Sequence, residues 1–122
     1  MTVNEAIAAA VHRLGDTVSR DELTEWLSEI ENTVVREIGE THFGQMPNTD
    51  IIKPDTDGER VLFAPDPHSR LYLSYLLMKA DLYLCDTEQY ANSAAVFSEA
   101  YKSFADWYNR AYMPLGERRI RV

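Results

Sequence analysis

Cysteine is almost missing from this chain. The only one is Cys85, so no disulfide can form within it, and a reducing, intracellular place of synthesis is expected. Long apolar runs are missing too. No stretch approaches the ~18 consecutive apolar residues of a membrane span, so no membrane partner is expected. The N-terminal segment carries Glu5 early and no basic stretch ahead of an apolar block, which does not read as a signal peptide. Glycine is scarce and scattered, at positions 15, 39, 44, 58 and 116. That leaves neither a Gly-rich phosphate loop nor a Gly-x-Ser-x-Gly elbow. His12, His42 and His68 share no metal-binding helical spacing, and neither His-Glu-x-x-His nor the paired Glu-x-x-His of di-iron bundles occurs. They read as surface or capping residues, and no cofactor or metal is expected. Cys85 sits near the end of an apolar segment between Asp81 and Asp86, not in the electropositive setting a nucleophile needs. It reads as a buried small hydrophobe.

Positive charge is also in short supply. Twelve Lys and Arg face twenty Asp and Glu, a net charge of −8. The imbalance is local: residues 1–64 carry 13 acidic and 5 basic side chains, and residues 65–122 seven of each. An acidic surface repels phosphate backbones, so sequence-specific nucleic-acid binding is not expected. Basic and aromatic residues do alternate from Lys102 to Arg110. However, Phe104, Trp107 and Tyr108 fall on a core-facing stripe and Asp106 interrupts the charge, so packing is the better reading than a single-strand groove.

What the chain does hold is core material: 45% hydrophobic residues, with seven Tyr, four Phe and two Trp. That suits a single globular domain over residues 1–122. Tyrosine hydroxyls need polar partners when buried, so many should sit half-buried at the core edge or in an interface.

The apolar spacing predicts an all-α bundle of about four helices. Thr2 and Glu5 have capping-box spacing, followed by Ala6, Ile7, Ala10, Val11 and Leu14 at helical intervals, with Gly15 as the stop. Ser19 and Glu22 repeat the capping box. Leu23, Trp26, Leu27, Ile30, Val34 and Ile38 then form one stripe on a second helix ending near His42. Asp21, Glu25, Glu29 and Glu31 are assigned to its solvated face. The third helix is placed from Asp66-Pro67, as N-cap and first helical residue, through Leu71, Tyr72, Tyr75, Leu76, Met78, Leu82 and Tyr83. Apolar around most of its girth, it should be the central and most buried one. Asp86 or Thr87 caps a fourth helix, from about Glu88 to Tyr112, with the stripe Tyr90, Ala94, Phe97, Tyr101, Phe104 and Tyr108. The short junction makes helices three and four an antiparallel hairpin.

Residues 43–66 differ in kind. They hold Pro47, Pro54 and Pro65, and no helical period survives. Two readings stand: a short β-hairpin around Pro54-Asp55-Thr56-Asp57-Gly58, or a projecting loop. A purely flexible loop has no need of Ile51, Ile52, Val61, Leu62 and Phe63, which makes these candidates for contact with partners. Residues 115–122 form a basic tail with Arg118, Arg119 and Arg121, more naturally a solvated end or a protein-docking segment than a nucleic-acid site.

The stretch Tyr90–Pro114, YANSAAVFSEAYKSFADWYNRAYMP, resembles a recurrent ending of small phage and prophage proteins encoded among head and packaging genes. The Leu71–Tyr83 run and the Trp26–Glu31 segment, with Val35-Arg-Glu-Ile, fit the same pattern. The broader group the chain is similar to is the helical head–tail connector, or adaptor, proteins of tailed phages. That resemblance implies a helical bundle with an extended loop between helices two and three. It also implies self-association into a ring of about a dozen copies bridging the portal protein and the tail or stopper proteins. The subunits would be made in the host cytoplasm and end in the virion. Carried onto this chain, the contact candidates are Ile51, Ile52, Val61, Leu62 and Phe63 in the loop, and Leu115, Arg118, Arg119, Ile120, Arg121 and Val122 in the tail. The alternative is a phage-encoded regulatory or binding module of the host cytoplasm, a packaging accessory or anti-repressor. An enzyme, such as a small nuclease or metal-dependent hydrolase, would need a buried His, Asp and Glu cluster that no spacing here enforces.

Overall fold

The computed structural model describes residues 1–39 and 58–111. Among the described residues there are four α-helices: α1 (Val3–Leu14), α2 (Arg20–Val34), α3 (Arg70–Tyr83) and α4 (Thr87–Ala111). A π-helical turn, Val35–Gly39, extends α2. The fold is all-α, as the apolar spacing predicts.

The start signals act as read. Thr2 Oγ1 accepts from the Glu5 backbone N–H at 3.2 Å, and the Glu5 carboxylate accepts from the Thr2 N–H at 2.8 Å. Two donors that a helix start leaves open are thereby closed. Gly15 ends α1 at φ 63°, a left-handed value that a side chain would strain. Ser19 Oγ accepts from the Glu22 N–H at 3.2 Å and caps α2.

The start of α3 requires a correction. Asp66-Pro67 is not its first turn. The Pro65 carbonyl accepts from the His68 and Ser69 N–H groups, and the Asp66 carboxylate accepts from the Ser69 hydroxyl. With Asp66 engaged in that turn, the helix begins at Arg70. Asp86 does cap α4, accepting from the Gln89 N–H at 3.1 Å.

Helix α3 is central in position, packing against α1, α2 and α4, most extensively against α4. It is not the most buried helix. Leu71, Tyr72, Leu76 and Ala80 are buried, but Leu82 and Tyr83 at its end are 54% and 58% exposed. More of α2 is buried: the whole predicted stripe, together with Thr24, Ser28 and Glu31. Cys85 is a further correction. It is exposed, at φ 60° in the α3–α4 turn, because the turn lies past the end of the core.

Residues 58–62 run back along the N-terminus of α1. Val61 forms an antiparallel bridge with Thr2. The Arg60 and Gly58 carbonyls accept from the Val3 and Asn4 N–H groups at 3.0 and 2.9 Å, closing further open donors of α1. Gly58 lies close to Asn4: a Cβ there would come within 2.5 Å of the Asn4 side chain and push it aside. The hairpin-or-loop question over 43–57, and the end of α2 near His42, fall outside the described residues.

Candidate functional site

Helix α2 brings a carboxyl group into the core at Glu31, which is 2% exposed. The assignment of Glu31 to the solvated face is therefore wrong. Its Oε1 accepts from the Tyr72 hydroxyl of α3 at 2.7 Å, and its Oε2 accepts from the Phe63 N–H at 2.9 Å. The Tyr72 hydroxyl in turn accepts from the Ala64 N–H at 2.9 Å. Two helices and the 60–64 segment are thus tied through one carboxylate and one phenol. Burial raises the Glu31 pKa, against the lowering effects of the Tyr72 and Phe63 hydrogen bonds and the charge of Arg60. Burial also pushes the Tyr72 phenol far up, as does the Glu31 charge. The spacing carried a signal for Glu31: it stands four residues after Leu27 and three before Val34, on the stripe itself.

A second polar–aromatic seam lies half-exposed along α3. The Tyr75 hydroxyl donates to Glu29 at 3.3 Å, and the Tyr75 ring meets Phe97 of α4 at 5.2 Å. Phe97 continues to Tyr101, whose hydroxyl donates to Glu37. Desolvation and Glu29 push the Tyr75 phenol up to about 12. Lys79 pairs with Glu29 at 3.6 Å and lies 5.9 Å from the Trp26 ring, while Tyr83 meets that ring edge-on at 5.7 Å. This is the half-buried tyrosine pattern expected from composition.

The seam leads to the α3–α4 turn, where Leu82, Tyr83 and Leu84 are all about half exposed or more. On another face, a shallow groove of about 210 Å³ lies between α1, α3 and α4, lined by Arg13, Leu77, Gln89, Asn92 and Val96 among others. No group of three or more His, Cys, Asp or Glu among the described residues is placed to hold a metal ion. No described helix is long and apolar enough to cross a membrane.

Of the contact candidates read from the sequence, Val61, Leu62 and Phe63 are among the described residues. Val61 is 69% exposed, but Leu62 is buried, and Phe63 is half-buried against Phe104 and Tyr108. Residues 58–66 therefore lie on the bundle instead of projecting, and two of the three candidates, Leu62 and Phe63, are committed to this chain's own core. Ile51, Ile52, Leu115, Arg118, Arg119, Ile120, Arg121 and Val122 lie outside the described residues. His12 is exposed, whereas the His68 ring lies tilted against Trp107 at 4.9 Å and 5.7 Å from Phe104. The apolar turn was missed because Leu82 and Tyr83 continue the helical period of the core, and only the point where the bundle stops exposes them.

Fold and surface together define a four-helix body with an apolar corner. No protein-family model, curated protein or solved structure matches it.

Proposed function

We propose that this chain is a structural subunit of a tailed-phage head–tail connector, bridging portal and tail as one copy of a ring. The reading rests on the resemblance carried by the residues of α2, α3 and α4, together with one structural observation. The run Leu82-Tyr83-Leu84 at the α3–α4 turn stands in water, in a small domain that buries Leu71, Tyr72, Leu76 and Phe104 completely. An apolar corner of this kind suits a protein that works through contact with other proteins. The net charge of −8 suits a ring through which DNA slides, because an acidic wall does not hold phosphate.

Mass spectrometry of purified particles tests the reading. The subunit is expected in stoichiometric amounts with the portal protein, and a mixture with purified portal protein should give rings that carry both. Absence from particles, with no association with portal or tail proteins at any salt concentration, overturns it. That outcome would favour a regulatory or packaging-accessory module of the host cytoplasm.

A further inference from the structure

We propose that the groove between α1, α3 and α4 binds the C-terminal end of a partner protein, a last residue that carries an apolar side chain and a free carboxylate. Nothing in the connector reading calls for this groove, and the two can fail separately.

Helices α1 and α4 both pack on α3. The face of α3 left open between them carries Ser74 and Leu77 and forms the floor of a groove of about 210 Å³. That is less than the ~300–1,000 Å³ of a small-molecule pocket, and it suits the end of a chain. Val96 of α4 lines it and is 57% exposed. Val96 stands one residue before Phe97, off the stripe by which α4 meets the core, and a β-branched residue is a poor choice for a solvated helix face. Leu77 and Val96 thus give the groove an apolar wall that this chain's own core does not cover.

The charge in the groove has one sign. Among the described residues that line it, Arg13 at the end of α1 is the only charged one. It belongs to a chain with twenty acids against twelve bases, and among the described residues it is in no ion pair. Gln89 and Asn92 of α4 add amide donors beside it. Asp81, one turn past Leu77 on α3, accepts from the Ser93 hydroxyl and is engaged there. A guanidinium with amide donors beside it recognises a carboxylate, by charge and by paired hydrogen bonds.

Carboxylate and apolar group must enter together, because Arg13, Leu77 and Val96 line one small cavity. The last residue of a chain carries both on a single carbon. An internal Asp or Glu carries no apolar group of its own, and in an extended segment its neighbours' side chains point to the opposite face. The rest of the bound chain has a way out. A second cavity of about 120 Å³ shares Ser74 and Val96 and continues to Arg70 and Glu99. From Leu77 back to Arg70, α3 spans about 10 Å, the length of about three extended residues. Arg70 and Glu99 are of opposite charge, so that stretch selects no sign in the residues before the last.

The test is an NMR titration of the isotope-labelled full chain with the peptide acetyl-Ala-Ala-Leu, which ends in a free carboxylate. Two control peptides are the same sequence closed as a C-terminal amide, and acetyl-Ala-Glu-Ala closed as an amide. Amide shifts are expected to saturate around Arg13, Leu77, Asn92 and Val96, with a dissociation constant of about 1 mM. Both control peptides should bind at least about tenfold more weakly, as should the variants Arg13→Gln and Val96→Asp against the first peptide. Both variants replace exposed side chains and should melt with the wild type. The proposal is overturned if the first peptide gives no saturable shift at about 10 mM, if either control binds as well, or if Arg13→Gln binds like wild type. No phage component is present, so such a failure leaves the connector reading to be judged on particles.

Discussion

At the scale of single residues, Glu31 sets the largest polar cost in the core. A buried carboxylate is stable only when its lone pairs are used, and here Tyr72 and Phe63 supply the donors. Tyr72→Phe would leave the Ala64 N–H and one Glu31 oxygen buried and unmatched, at about 1–3 kcal/mol in chemical denaturation. Glu31→Gln should cost a similar amount, because an amide offers one acceptor to two donors. The two variants separate in their pH dependence. Burial holds the Glu31 pKa above its ordinary 4.5, so the folded protein binds this proton more tightly than the unfolded chain. The resulting stability is full below 4.5 and is lost as pH rises through the folded value. Melting temperatures of wild type minus Glu31→Gln should therefore widen as pH falls from neutrality toward 4.5. A constant difference would mean that Glu31 titrates as an exposed carboxyl does.

At the scale of elements, the helices hold through their starts and their shared faces. Thr2→Ala removes half of the α1 capping box and should cost about 1 kcal/mol. The cost bears on more than α1, since the same helix start receives the carbonyls of Gly58 and Arg60. Leu76 of α3 and Phe104 of α4 are fully buried. Replacing either with Ala should cost about 2–5 kcal/mol, read from urea midpoints at unchanged slope. If the midpoint barely moves for both, the packing of α3 on α4 is not the one described. The starts of α1 and α2 were legible because a cap is a local contest decided within four residues. The start of α3 was not, because Asp66 had two local partners to choose from, and the Ser69 hydroxyl won it.

At the scale of the whole molecule, charge and exposed apolar surface point the same way. With a net charge of −8, the chain should show no saturable binding to a short DNA duplex at about 0.15 M salt, measured by fluorescence anisotropy.

Periodicity by itself determined the class and the helix count, because a 3.6-residue repeat of Leu23, Trp26, Leu27, Ile30 and Val34 is stable only as a helix with one buried face. It also determined that Leu76 and Phe104 are core. Only the tertiary structure decided which members of a periodic run meet a neighbour. Glu31 sits on the stripe and is buried because Tyr72 and the 60–64 segment arrive to satisfy it. Leu82 and Tyr83 sit on an equally regular stripe and are exposed because the bundle ends beneath them. The physical reason is common to both: periodicity states which way a side chain points along its own helix, whereas burial depends on what another part of the chain places opposite it.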